Sequence, residues 1–403
     1  MGREAERDPG FAMSPRQVLS RRSLLAGAGG VGLLAALAAC TGGGAAAPVA
    51  SRPTAVADLS KSQKIVRWAN WKSYLDFDEK SRTYPTLQAF QKQSGLKASY
   101  DVVIEDNDAY DQMIHAKVAA GQDIGEDLIV FTDWMVNRYV REGLAQKLDR
   151  GAMPNASQLR PQLKNVDFDP GRHYSLTWQS GFGVIAWNKE KVPKGLHNVS
   201  DLWAPELRGR VEVLSEMRDT IGLIMLEQGV DISQDFTDAQ YANALGVLQR
   251  QIDNGQIRQV KGNSYVDDLL SGDAVAGIGW SGDMFQLNAE HGDKWGFAIP
   301  EAGGTYWSDN FIVPIGSPHL ANAERLMNYY YDPKVAAQVA SWVNYVCPVK
   351  GAQAEMEKID PMLATSSWIF PSDEFLATTK AFRSLPPAQE KLYSDQFQQV
   401  ISF

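Results

Sequence analysis

The sequence predicts an α/β protein whose mostly parallel sheets are covered by helices on both faces. Two observations predict it. From Lys64 onward, short apolar runs alternate with stretches whose apolar residues recur at helical spacing. Strand–helix alternation of this kind folds as parallel sheets between helical layers. Hydrophobic residues also make up 44% of the 403 residues against 22% charged, a balance that folds. In chain order, 65–71 reads as a strand, 83–93 as a helix with Leu87 and Phe90 on one face, and 98–104 as a strand. A helix over 107–120 carries Tyr110, Met113, Ile114 and Val118 at helical spacing. The apolar run 127–131 is a short buried strand, and Thr132 or Asp133 suits the N-cap of a helix over 134–142.

A second lobe opens near Gly181, with strands at 184–188 and 211–214 and helices at 220–229, 238–254 and 264–271. A strand at 274–280 leads into Ser281-Gly282-Asp283. Gly303-Gly304-Thr305 starts an extended segment, 306–314, long enough to cross back to the first lobe. Helices over 322–331 and 334–343 follow, with Pro333 at an N1-like position. In sheets of this class ligands bind beyond the carboxyl ends of the strands. That rule singles out the junctions at 71–74, 132–134 and 281–283.

Residues 1–39 read as a signal rather than as part of the fold. Arg21-Arg22 enters an uncharged run of small apolar residues, 27–39, which is short of the roughly 20 residues a membrane span needs. The run ends Leu37-Ala38-Ala39-Cys40 before three glycines, an arrangement similar to a bacterial lipoprotein signal with Cys40 as the lipidated residue. The arginine pair resembles a twin-arginine export signal. Residues before Met13 are acidic and fit no n-region, which leaves Met1 and Met13 as alternative starts. Residues 40–62 suit a flexible tether. With Cys40 lipidated, Cys347 is left alone, and a small buried residue is the reading for it.

Composition removes several classes. Lys plus Arg number 39 and Asp plus Glu 48, a net charge of −9, so no basic surface exists for nucleic acid. Residues 1–39 hold five Arg and three acids, so the chain from Cys40 onward carries −11. Two cysteines exclude a disulfide scaffold and Cys-rich metal sites. His115, His173, His197, His291 and His319 are scattered and contain no HExxH. There is no GxxxxGK[ST] loop and no GxSxG elbow. Neither a cofactor, a metal nor catalysis is expected.

Six stretches in order carry a resemblance: Trp68-Ala-Asn-Trp71-Lys-Ser-Tyr74, Asp127-Leu-Ile-Val-Phe-Thr132, Asp201-Leu-Trp203-Ala-Pro205-Glu206, Gly279-Trp280-Ser-Gly-Asp283, Pro300-Glu-Ala-Gly-Gly304 and Trp307-Ser-Asp309. Over roughly 64–350 the chain resembles the bacterial spermidine/putrescine-binding proteins that feed polyamine ABC transporters. The resemblance implies a type II periplasmic-binding-protein fold, two lobes closing by hinge motion on a buried ligand. Segments 175–183 and 306–311 match its two crossing strands. The lobes then comprise 63–180 with 307–358, and 181–306, and the segment 359–403 packs on the second lobe. The implied partners are a cationic polyamine, a transporter permease and ATPase, and the membrane through Cys40. A monomer outside the cytoplasm, bound to the cell membrane, is expected.

A polyamine receptor needs carboxylates for the ammonium groups and aromatic walls for the methylenes, and a ring face attracts an ammonium by roughly 0.5–2 kcal/mol. The resemblance carries these roles to Trp71 and Tyr74 on the first-lobe wall, to Thr132 and Trp134 near the amine's end, to Trp280 and Trp307 around its chain, and to Tyr345 at one end. It carries the acidic roles to Asp309 near the crossing strand, to Glu216 and Asp219, and to Asp283. Each has a plainer reading. Trp71 and Trp280 suit a core, and Asp219 and Asp283 suit helix caps. Asp106 and Asp108 suit a solvated cap, and Asp267 and Asp268 a solvated helix face. The family places Thr or Ser and then an acid between Trp71 and Tyr74, whereas this chain has Lys72 and Ser73. If Lys72 points inward it repels one ammonium, and if outward only the acid is lost. Arg383 lies near a polar family position. The rival classes are a sugar receptor, an anion receptor with Arg218 as its nearest cation, and a carboxylate-based glycan-acting enzyme.

Overall fold

The computed structural model describes residues 52–402. Arg21-Arg22, the run 27–39 and Cys40 lie outside them. No helix among the described residues is long and apolar enough to cross a membrane.

Three parallel strands form one half of the sheet: β1 (Ile65–Trp71), β2 (Lys97–Ile104) and β3 (Leu128–Thr132). Two long strands, β4 (Ser175–Asn188) and β9 (Gly304–Ile312), run antiparallel through the middle. The far half holds β5 (Val211–Leu214), β6 (Ile257–Lys261) and β7 (Ala276–Trp280), with β8 (Trp295–Ala298) on β4 and β10 (Thr379–Ala381) on β9. The strand order is β2-β1-β3-β9-β4-β7-β5-β6. The expected crossing strands pair with each other along most of their length. The two halves therefore share one continuous ladder instead of forming separate sheets.

Burial explains the first half. Trp68 is fully buried and packs edge-on against Tyr100 and Trp178 at 4.8 and 5.2 Å, with Phe311 and Tyr330 beside it. Arg172 is buried as well. It bonds the Leu163 carbonyl, Thr177 and Asn310, tying the start of β4 to the end of the antiparallel β9.

The helices are α1 (Pro85–Ser94), α2 (Asn107–Ala119), α3 (Asp133–Glu142), α4 (Met217–Glu227), α5 (Asp238–Asp253), α6 (Tyr265–Ser271), α7 (Ser281–His291), α8 (Leu320–Tyr330), α9 (Pro333–Val343), α10 (Ala352–Ile359) and α11 (Pro387–Ile401), besides single turns. Two differ from expectation in a way that matters. Helix α1 begins at Pro85 rather than residue 83, because the residue before a proline is pushed out of the α region, and Tyr84 is extended. Helix α4 begins at Met217 rather than residue 220, which places Asp219 inside its first turn and not at its cap.

Six of these elements were not read from the sequence: β6, β8, β10, α7, α10 and α11. Helix α11 lies on α5 through Tyr393 stacked on Tyr241, ring centres 3.8 Å apart. The described part of the expected tether is also held to the body. Leu59 donates to the Pro318 carbonyl at 2.7 Å, and the buried Ser60 hydroxyl accepts from the Asn322 backbone.

Candidate ligand-binding site

Strands β1, β3, β5 and β7 all end at one place, and each hands over to a helix or loop there. Three of the helices starting nearby have N-caps whose side chains leave the helix end unserved: Thr132 for α3, Glu216 for α4 and Trp280 for α7. A side-chain oxygen at this position ordinarily accepts a bond from the first turn. Here Thr132 donates its hydroxyl to Asp309 at 2.7 Å, and Glu216 accepts from Asn107 and Trp134. Local helix chemistry has been given up to build a site.

That site is a cavity of about 430 Å³ between the two halves of the sheet. Trp71, Tyr74, Thr132, Glu216, Asp219, Trp280, Asp283, Trp307, Asp309 and Tyr345 line it, together with Lys72 and Asn263. Trp134 is the sequence candidate that does not line it. Its indole lies behind Glu216, donates to that carboxylate at 3.1 Å, and faces the Arg218 guanidinium 4.1 Å from its ring centre.

The aromatic walls are braced. The Trp71 indole N–H reaches the Val130 carbonyl at 3.0 Å, which fixes the ring at the end of β1. Tyr345 meets Tyr74 edge-on at 5.2 Å and Trp307 at 5.5 Å, and Trp307 stands 6.4 Å from Trp280. Two glycines make room for these rings. A Cβ on Gly282 would lie 2.3 Å from the Tyr345 ring, and one on Gly181 2.4 Å from Trp307.

Four carboxylates face this space, each only 5–9% exposed. Asp309 accepts from the Tyr74 hydroxyl at 2.8 Å and from Thr132. Asp219 accepts from the Trp280 indole at 2.8 Å and the Thr305 hydroxyl at 2.6 Å. Asp283 accepts from Tyr345 at 2.6 Å and Tyr265 at 3.1 Å. Glu216 accepts from Asn107 at 3.0 Å. Among the described residues, none of the four has a basic side chain within 4 Å; the ion pairs formed nearby belong to other acids. Burial pushes Asp309 up to about 7 and Asp283 up to about 6, the latter against the bonds from Tyr345 and Tyr265 and the charge of Lys72. Burial raises Asp219 too, and it raises Glu216 strongly, aided by the charges of Asp106, Asp108 and Asp219.

The plainer readings fare differently by residue. Asp219 and Asp283 are buried acids within the first turns of α4 and α7, not exposed caps. Asp106 does cap α2 and also accepts from Ser215 across the cleft at 2.8 Å. Asp108 is not a free solvated acid but lies against Arg138 at 3.3 Å. Asp268, expected on a solvated face, is largely covered and bonds Arg258 and Lys261. Asp267 is exposed, as expected, and pairs with Lys72 at 3.6 Å. Arg383 turns away from the cavity and packs over Phe236 at 4.7 Å. Cys347 is a free, buried thiol, pushed up to about 11 by burial.

Asn107, Asn263, Tyr265 and Thr305 were not singled out from the sequence. Asn107 follows the end of β2, so the junction rule would have found it. Asn263 and Tyr265 follow β6, the strand that the pattern failed to reveal.

The halves are engaged around the cavity. Ser264 donates its backbone N–H to Glu105 at 3.0 Å and Gln286 reaches the Ser73 carbonyl at 3.2 Å, both across the cleft. Arg138 packs over the Trp134 ring at 5.1 Å, and Glu390 of α11 bonds Arg138 and Arg141 of α3 at 2.9 and 3.2 Å.

A two-lobed α/β fold that encloses an acidic, aromatic-walled cavity between its halves defines a solute-binding protein. The chain belongs to the family of bacterial extracellular solute-binding proteins, whose profile matches residues 86–365, and that family binds solutes and is not one of enzymes. It is similar to the spermidine/putrescine-binding periplasmic protein of Escherichia coli (strain K12), 26% identical over 316 residues, covering 78% of this chain and 87% of that one. It is also similar to the putrescine-binding periplasmic protein of the same organism, 26% identical and covering 74% and 81% of the two chains. The solved structure of a spermidine/putrescine ABC transporter protein from Listeria monocytogenes shares the fold. Its TM-score is 0.73 at 22% identity, covering 84% of this chain and 99% of that one.

Proposed function

We propose that this protein is the lipid-anchored substrate-binding component of an ABC importer, holding a polyamine of putrescine or spermidine type between its lobes. One observation carries the reading: four buried carboxylates converge on an aromatic-walled cavity, and among the described residues no basic side chain pairs with them. Isolated buried charges are costly, and a ligand bearing at least two ammonium groups would neutralise them. A neutral sugar would leave them uncompensated, and an anion would be repelled. The names of the relatives support the same ligand class. Delivery to a membrane permease driven by an ATPase follows from that class. Export and attachment rest on Arg21-Arg22 and Cys40 in the sequence. Replacing Cys40→Ser is expected to move the protein from the membrane fraction to the soluble extracytoplasmic fraction, read by fractionation and blotting.

The test of ligand class is calorimetric titration with putrescine, spermidine, spermine and a control sugar from pH 5 to 8. The sign of the pH effect follows from the raised carboxyls. In the empty protein they hold protons up to about pH 6 for Asp283 and about pH 7 for Asp309, while in the unfolded chain they ionise near ~4. The stability this gives the empty fold is complete below pH ~4 and is lost as the pH rises through the folded values. A bound ammonium favours the ionised form and expels those protons. Amine binding should therefore tighten by about tenfold or more from pH 5 to 8, with a heat that depends on the ionisation enthalpy of the buffer. Constants that stay flat across that range, or heat with the sugar alone, contradict the reading.

A further inference from the structure

The cavity meets a cation at each end. Beyond Glu216 stands Arg218, packed on Trp134 in a side pocket with Thr132, Trp307 and Phe382. Beyond Asp283 stands Lys72, which lines both the cavity and an outer vestibule of about 550 Å³. The loop after β1 puts it there: Ser73 adopts a left-handed backbone, φ 56°, and the Lys72 ammonium meets Asp267 of α6 across the cleft at 3.6 Å. The inward and outward options left open by the sequence thus resolve to a third. Lys72 sits at the mouth.

We propose that Lys72 is a specificity-determining residue that limits the site to a diamine of about putrescine length, by holding a positive charge where a longer amine would emerge. The inference rests on the polyamine reading above. The Glu216 end opens only into the side pocket that holds the Arg218 guanidinium, whose charge repels an ammonium placed there, so a longer chain extends past Asp283 into the vestibule. Its third ammonium would then lie beside the Lys72 ammonium, and like charges at this separation repel even where solvent screens them in part. The vestibule otherwise suits a cation, because Asp267 and Glu290 both line it. Removing the lysine charge leaves those acids uncompensated and turns a repulsive mouth into an attractive one. Lys72 and Asp267 are both more than half exposed, and such pairs add little to stability, so the substitution tests selectivity without threatening the fold.

The experiment titrates the wild-type protein, Lys72→Gln and Lys92→Gln with putrescine and with spermidine at one salt concentration. Lys92 lies on the exposed face of α1, away from the cavity, and controls for net charge. The wild type is expected to bind putrescine about tenfold or more tightly than spermidine. Lys72→Gln should shift the ratio of the two constants toward spermidine by about tenfold, and Lys92→Gln should leave it in place. A wild type that prefers spermidine, or a ratio unmoved by Lys72→Gln, overturns the length filter and leaves the polyamine reading standing. A wild type that binds neither amine overturns both.

Discussion

Asp309→Asn is expected to weaken putrescine binding by two to three orders of magnitude while leaving the empty protein as stable as the wild type, or more stable, at pH 8. The two halves of that result come from one cause. Asp309 is 5% exposed and takes hydrogen bonds from Tyr74 and Thr132, yet burial still pushes it up to about 7. Above that pH its charge is a burden that the empty fold carries. An amide of the same shape removes the burden, and the two hydroxyls can turn to meet it. The bound ammonium has no such remedy. Taking one partner from a buried charge pair costs about 2–5 kcal/mol, or roughly 30- to several-thousand-fold in affinity. Asp253→Asn, on the exposed face of α5, removes one charge elsewhere and serves as control. Affinity and melting temperature measured on both variants check the point. Equal affinity losses would mean that Asp309 does not face the ligand.

The second large effect is expected from one methyl group. Gly282→Ala puts a Cβ 2.3 Å from two carbons of the Tyr345 ring, well inside contact distance. The ring is 3% exposed, with Tyr74 and Trp307 against its other sides. It has nowhere to move without releasing Asp283, to which its hydroxyl donates at 2.6 Å. Overpacking of this kind costs about 1–3 kcal/mol, so melting should fall by several degrees. Affinity should fall by about tenfold to a hundredfold as the end wall shifts. Pairing it with Tyr345→Leu should recover stability and not affinity. A Gly282→Ala protein indistinguishable from wild type in both readouts would show that the wall is looser than the structure places it.

Much of this site was legible in the sequence because strand ends are. Trp71, Thr132 and Trp280 close apolar runs, and a parallel sheet delivers the residues after such runs to one edge. The acids were harder. Asp219 read equally well as a cap, since nothing in Ser215–Thr220 reveals that α4 starts at Met217 and carries the carboxylate into the cleft. Trp134 read as a ligand contact, but the turn into α3 directs its indole behind Glu216, a matter of side-chain direction that spacing does not encode. Tyr265 stayed hidden with β6, whose sequence Ile257-Arg-Gln-Val-Lys261 carries too little apolar character to stand out from its surroundings. Asp268 was misjudged for the same reason. Its partners Arg258 and Lys261 lie on that strand.

The position of Lys72 depends on a left-handed turn at Ser73, a conformation uncommon for residues other than glycine. No periodicity foretells it. The C-terminal helix was obscured differently, because its buried face, Glu390, Tyr393 and Phe397, includes an acid. That acid bonds Arg138 and Arg141 across the cleft, and a burial signal keyed to apolar residues passes over it.

Selection of the ligand by charge, between aromatic walls, is tested most directly by comparing putrescine with 1,4-butanediol in the same calorimetric titration at pH 8. The diol is a chain of the same length that can still hydrogen-bond but carries no charge. Putrescine is expected to bind and butanediol to give no measurable heat at a thousandfold higher concentration, since four buried carboxylates with no ion-pair partner among the described residues gain nothing from a neutral chain. Comparable binding of the two compounds would contradict the account.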